Sequence, residues 1–129
     1  MLFLCVVLFA GCSSNAESTD NKSMKKTYEQ ITPVEAKYIM DSDNPYILLD
    51  VRTQEEYDAG HIEGAILIPD YEINTKAEAV LADKDALILV YCRSGRRSKN
   101  AASSLATLGY TNVKEFGGII DWTYGTVTE

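Results

Sequence analysis

Residues 86–98, ALILVYCRSGRRS, give the clearest indication of how this chain folds. The first six residues are all apolar, and such an unbroken run is typical of a strand covered on both faces, as in a parallel sheet. The polar turn that follows contains Gly95 and leads into a segment whose apolar residues lie at helical spacing: Ala101, Ala102, Leu105 and Leu108. Gly109 then stands where a glycine commonly ends a helix. The stretch therefore predicts a buried parallel strand, a turn and a helix over 98–109.

Similar units lie on both sides of this stretch. Residues 46–50 (YILLD) and 65–68 (AILI) are further continuous apolar runs, and a last strand is expected at 112–116 with a short helix at 119–124. Three Thr/Glu pairs have the spacing of a capping box and predict helix starts: Thr32 with Glu35, Thr53 with Glu56, and Thr75 with Glu78. Strands that alternate with helices predict an α/β fold.

Composition limits the function classes. The chain has 129 residues, 46% of them hydrophobic and 24% charged, which is typical of one globular domain. A net charge of −7 argues against nucleic-acid binding. Three cysteines and one histidine are too few for a four-ligand zinc site or a disulfide framework. We therefore expect no metal site, and we expect no other cofactor.

The N-terminus has the pattern of an export signal. Residues 1–11 (MLFLCVVLFAG) are apolar and uncharged, whereas 13–27 are almost entirely polar. The sequence FAGC at 9–12 resembles the lipobox of bacterial lipoproteins, which implies cleavage before Cys12 and a lipid on that residue. We expect a signal peptide at 1–11, a flexible tether at 12–27 and a domain at 28–129, held outside the cytoplasm and bound to a membrane only through the lipid. The alternative is that residues 2–10 form a strand or buried helix of the domain and that Cys12 is incidental.

Cys92 is the strongest candidate for chemistry. It follows the most apolar strand, and ligands of open α/β sheets bind at the carboxyl ends of strands. No acidic residue lies between Asp85 and Glu115, but five basic residues do: Arg93, Arg96, Arg97, Lys99 and Lys114. A glycine-containing loop at a helix N-terminus directs amide groups inward, lowers the pKa of a thiol and holds an anion beside it. The alternative is a buried structural cysteine beside a solvated basic turn.

The ordered motifs from residue 29 to 124 resemble those of a single-domain rhodanese. They are DVR at 50–52, EEY at 55–57, GHIEGA at 60–65, CRSGRRS at 92–98, and GGI at 117–119 followed by Trp122. The resemblance implies a three-layer domain with a central five-stranded parallel sheet flanked by helices. It also implies a sulfurtransferase that moves a sulfane sulfur, through a Cys92 persulfide, from thiosulfate or a similar small anionic donor to a thiol or cyanide.

The resemblance also assigns roles to single residues. The loop around Cys92 is completed by Arg93, Ser94, Gly95, Arg96 and Arg97, with Arg93 and Arg97 as its main anion contacts. Asp50 and Arg52 are expected to position this loop from behind, the alternative being that Asp50 simply caps a turn. His61 is expected to have a structural role at a turn, the alternative being a Cys–His pair.

Other side chains receive structural interpretations. We expect Trp122 and the Gly117-Gly118 pair to pack and turn, and Glu55 and Glu56 to form a solvated helix face. A monomer is expected.

Two other functions compete with sulfur transfer. A cysteine phosphatase of similar architecture needs an arginine six positions after its cysteine, and that position is Ser98 here. A rhodanese-like module without turnover, used for binding or redox sensing, is the second alternative. Redox sensing is an alternative because a thiolate outside the reducing cytoplasm is exposed to oxidation.

Overall fold

The computed structural model describes residues 27–129, so the expected signal peptide, Cys12 and nearly all of the tether lie outside the described residues. Five parallel strands form one sheet in the order β1-β5-β4-β2-β3. Their bounds are β1 Glu29–Gln30, β2 Ile47–Asp50, β3 Ile66–Leu67, β4 Ile88–Cys92 and β5 Val113–Gly118. The most apolar strand, β4, is central, which confirms the parallel α/β sheet.

Helices cover both faces of the sheet. They are α1 Pro33–Asp41, α2 Gln54–Ala59, α3 Ile73–Val80 and α4 Arg96–Thr107, with short 3-10 helices at Asp70–Glu72 and Ile119–Asp121. Alternate residues of β4 enter different cores, because successive side chains of a strand point to opposite faces. Val90 and Cys92 join the core under α3 and α4, whereas Leu89 and Tyr91 join the core under α1. The three-layer prediction is therefore confirmed.

Two of the three predicted capping boxes are present. The Thr32 and Thr53 hydroxyls accept hydrogen bonds from the Glu35 and Glu56 amides, and each glutamate accepts a bond from the threonine amide in return. The third, at Thr75, is wrong. A 3-10 helix runs directly into α3, so Thr75 already lies inside the helix and its hydroxyl donates to the Glu72 carbonyl.

Some boundaries differ from the predictions. Helix α4 begins at Arg96, two residues early, which places Arg96 and Arg97 in its first turn rather than in a loop. The run 65–68 was expected to be covered on both faces, but it forms the edge strand β3, where Ile66 is 38% exposed. Strand β1 was not predicted, because two exposed residues carry no hydrophobic pattern. Among residues 27–129 no helix is long and apolar enough to cross a membrane.

Candidate active site

Cys92 is the last residue of β4 and lies where the chain turns into α4. Gly95 stands at the helix N-cap with φ +117°, a left-handed conformation that favours glycine. This turn directs the Gly95 amide back to the cysteine, with a nitrogen-to-Sγ distance of 3.0 Å. Cys92 is only 1% exposed. The predicted amide-lined loop is therefore present around the sulfur.

The ionisation of Cys92 reflects two opposing influences. Burial raises the pKa of the thiol, because it removes water from the thiolate. Hydrogen bonding to the thiolate lowers it by more, so the pKa of Cys92 lies below its ordinary value. The donors are the Ser98 hydroxyl, when its proton points at the sulfur, and the amides of Ser98, Gly95 and Ser94. The loop therefore favours the nucleophilic form of the sulfur.

Two buried residues of this site were not identified from the sequence. The Ser98 hydroxyl lies 3.4 Å from Cys92 Sγ and donates to Glu115 Oε2 on β5. Ser98 and Glu115 are 0% and 1% exposed. The sequence did contain one signal: Glu115 occupies an inward position of a predicted buried strand, two residues after Val113.

Gly118 allows the Cys92 loop to lie against the end of β5. A Cβ atom at this position would stand 2.0 Å from the Arg93 carbonyl oxygen, which no real contact permits. The Arg93 carbonyl also accepts a hydrogen bond from the Ile120 amide. Gly118 therefore allows two backbone segments to approach closely. Its neighbour Gly117 allows a turn with φ +92°.

A buried polar network lies behind the loop. Arg52 donates to both carboxylate oxygens of Asp50 and to the Gly60 carbonyl. The Tyr91 hydroxyl donates to Asp50 over 2.6 Å and accepts from the Ile62 amide. Because Tyr91 directly precedes Cys92, the network holds the end of β4. This arrangement fits the predicted positioning role of Asp50 and Arg52, and Asp50 does more than cap a turn.

Arg97 is paired with a carboxylate instead of being free. Its guanidinium donates to both oxygens of Glu56, at 2.8 and 3.0 Å, and this pairing lowers the pKa of Glu56 to about 2. The interpretation of Glu56 as part of a solvated face is therefore wrong. Forty-one positions separate the two residues, so no local sequence pattern indicates the contact. The charge of Arg97 still acts on Cys92.

The other residues predicted for the loop lie at its surface. Arg93, Ser94 and Arg96 are exposed around the loop, and neither arginine forms a salt bridge within the described residues. Trp122 packs on Phe116 and Tyr124.

The contacts of His61 are structural ones. Its ring stacks on Tyr57, its Nδ1 bonds the Tyr57 carbonyl, and its backbone pairs with Val127. Residues 27–129 contain no group of three or more metal-ligating side chains.

The parallel sheet and the cysteine loop at its carboxyl edge define a rhodanese-type domain. The sequence profile of the Rhodanese-like domain family matches residues 32–124, and the chain belongs to this family.

Several relatives of this chain are named sulfurtransferases. Thiosulfate sulfurtransferase PspE from Escherichia coli (strain K12) is 40% identical over 73 residues, which cover 57% of this chain and 70% of PspE. Thiosulfate sulfurtransferase 18 from Arabidopsis thaliana is 32% identical over 115 residues, 80% of this chain and 83% of that protein. The solved rhodanese-related protein from Thermoplasma volcanium has a TM-score of 0.69 and 32% identity, covering 79% of this chain and 100% of that chain.

Proposed function

We propose that this chain is a sulfurtransferase that moves a sulfane sulfur from thiosulfate or a similar small anion to a thiol or cyanide. The observation that carries the proposal is the buried Cys92 Sγ at the head of α4, with the Gly95 amide 3.0 Å away. Amide groups and a helix N-terminus stabilise negative charge on and beside the sulfur. The names of the relatives support the same reaction class.

In the first half-reaction the Cys92 thiolate attacks the outer sulfur of thiosulfate. A new S–S bond forms at Sγ, the S–S bond of thiosulfate breaks, and sulfite leaves with the electron pair. The product is a Cys92 persulfide anion, so the total charge is unchanged. The lowered pKa of Cys92 supplies the thiolate without a separate base.

In the second half-reaction the acceptor takes the outer sulfur. Cyanide attacks that atom through carbon, the S–S bond to Sγ breaks, and thiocyanate and the Cys92 thiolate are formed. The loop amides stabilise the persulfide charge as an oxyanion hole would. The exposed Arg93 and Arg96 attract the anionic donor, whereas Arg97 contributes its charge while bound to Glu56.

The test is a sulfur-transfer assay on the purified chain. With thiosulfate and cyanide we expect thiocyanate to form, and with thiosulfate alone we expect the tryptic peptide 85–93, which carries Cys92 and no other cysteine, to gain the mass of one sulfur. Cys92→Ser should abolish both signals. If the folded wild-type chain gives neither signal, the proposed function with this donor is refuted.

We also propose that the chain acts outside the cytoplasm, anchored by a lipid on Cys12. The support is the apolar run 1–11, the FAGC sequence at 9–12 and the polar tract that follows.

A further inference from the structure

The Ser98 hydroxyl lies among four atoms that can accept its proton. Its oxygen is 2.5 Å from Glu115 Oε2, 3.0 Å from the Gly95 carbonyl, 3.3 Å from the Gly117 carbonyl and 3.4 Å from Cys92 Sγ. A hydroxyl has one proton, so it cannot donate to all of these atoms at once. Ser98, Glu115 and Cys92 are each at most 1% exposed, and the competition therefore takes place without bulk water.

The geometry favours Glu115 in this competition. The distance to Glu115 is the shortest of the four, and hydrogen bonds to a carboxylate are shorter and stronger than those to a neutral carbonyl or to sulfur. Oε2 of Glu115 is also held in place by the Gly117 amide at 2.9 Å. When the proton points at Glu115, Ser98 turns a lone pair toward the sulfur, which suits a Cys92 thiol that donates and not a thiolate.

We propose that Glu115 is a positioning residue that holds the Ser98 proton away from Cys92 Sγ, so that only the loop amides donate to the free thiolate. One consequence rests on the proposed function. The charge of a persulfide lies mainly on its outer sulfur, one bond beyond Sγ, so the missing Ser98 donor destabilises the thiolate more than the persulfide. Glu115 thereby favours the sulfur-loaded form.

Few other charged or titratable groups face this trio. The charge of Arg97 acts on Cys92 from α4, and Tyr28, next to β1, interacts with Glu115. Lys114, the neighbour of Glu115 on β5, is paired with Glu29 on β1. Substitutions at Glu115 and Ser98 leave these four groups in place, and Glu29→Gln changes only the partner of Lys114.

The deciding variant is Glu115→Gln. Glutamine has nearly the same shape, but its oxygen, which faces the Gly117 amide, is neutral and accepts more weakly than a carboxylate. The Cys92 thiolate is then the only charged atom among the four acceptors, so the Ser98 hydroxyl donates to the sulfur. The rate of Cys92 alkylation by iodoacetamide is measured against pH and read on the tryptic peptide 85–93. We expect the midpoint to fall by about one pH unit, a tenfold change in ionisation constant. Glu29→Gln, which removes a carboxylate from β1, should leave the midpoint at the wild-type value.

Ser98→Ala separates this mechanism from a direct effect of charge. If the Ser98 proton is already withdrawn in the wild type, Ser98→Ala keeps the wild-type midpoint, and adding Glu115→Gln changes it little. The proposal is overturned if Ser98→Ala raises the midpoint, or if Glu115→Gln leaves it unchanged or raises it. It is also overturned if Glu115→Gln lowers the midpoint equally when it is combined with Ser98→Ala. If Glu115→Gln does not fold, the alkylation midpoint of Ser98→Ala alone tests the proposal.

A second measurement addresses the persulfide. At a pH above both midpoints, with fixed thiosulfate and sulfite, the ratio of persulfide to free Cys92 should be about tenfold lower in Glu115→Gln. Alkylation needs no sulfur donor, so the role of Glu115 and the proposed sulfurtransferase function are tested independently. If neither protein forms persulfide, the proposed function fails while the alkylation midpoints still decide the role of Glu115. An unchanged ratio in proteins that do load sulfur overturns the stated consequence.

Discussion

At the scale of single residues, the site depends on ion pairs and on hydrogen bonds between buried side chains. Arg97 was expected to be an anion contact, and the structure places its guanidinium on Glu56. Both side chains are about one quarter exposed, at 25% and 29%, so the pair is shielded from water more than a surface salt bridge is. The pairing also ties α2 to α4, since one residue comes from each helix.

This pair predicts a pH-dependent stability. The pKa of Glu56 is about 2 in the folded chain and ordinary, about 4.3, in the unfolded one. A carboxyl with a depressed pKa stabilises the fold above its unfolded pKa, and the contribution is lost as pH falls toward the folded value. We expect Glu56→Gln to lower the free energy of unfolding by about 1–2 kcal/mol at pH 7, after allowance for solvent screening.

Urea unfolding at pH 7, 5 and 2.5 tests this expectation. The difference between wild type and Glu56→Gln should shrink from pH 5 downward. Glu55→Gln, one position earlier in α2 and exposed, is the matched control and should change little. A difference that stayed constant over this range would show that the ion pair is not its source.

At the scale of elements, the site is a junction of three of them. Strand β4 ends at Cys92, α4 begins beyond Gly95, and the end of β5 lies against the loop at Gly118. The register between β4 and β5 shifts at this point, and Cys92 pairs with Gly118. The loop conformation therefore depends on how closely two backbones approach.

Gly118→Ala should displace the loop. The new Cβ atom would meet the Arg93 carbonyl at 2.0 Å, so either the loop or β5 must move. A shift of about 1 Å at a reacting group costs up to a hundredfold in rate, and we expect the thiocyanate rate to fall at least about tenfold.

Gly117→Ala is the matched control. Its Cβ atom would meet nothing within 4 Å, and the cost is conformational strain at φ +92°, about 1–2 kcal/mol of stability. It should reduce the unfolding temperature but affect the rate less than Gly118→Ala does. Equal losses of rate in the two variants would contradict the close-approach explanation.

At the scale of the whole molecule, charge is unevenly distributed. The chain carries a net charge of −7, yet five of its twelve basic residues lie between Asp85 and Glu115 in the sequence. Three of the five, Arg93, Arg96 and Arg97, lie in the Cys92 loop or in the first turn of α4. An acidic body with a basic site attracts small anions to one place and does not bind polyanions broadly. This distribution agrees with the proposed anionic donor.

The proposed anchor is also a property of the whole chain. Expressed in a bacterium with radiolabelled palmitate, the full chain should take up label and sediment with membranes. Cys12→Ala should lose the label, while Cys92→Ala should keep it. Label that persists on Cys12→Ala, or a wild-type chain without label, would refute lipidation at Cys12.

Local chemistry made much of this protein predictable. The buried strands, two capping boxes, the helix after the loop and the candidate Cys92 follow from periodicity, helix-start residues and charge near one thiol, all of which act over a few positions. The side chains that contact this site from distant parts of the sequence could not be predicted in this way. Glu56 meets Arg97 across 41 positions and Ser98 meets Glu115 across 17, and only sheet order and register bring them together. Because side-chain contacts between distant segments leave no local pattern, the sequence determined the sulfur and its loop, and the tertiary structure decided which charges and protons surround them.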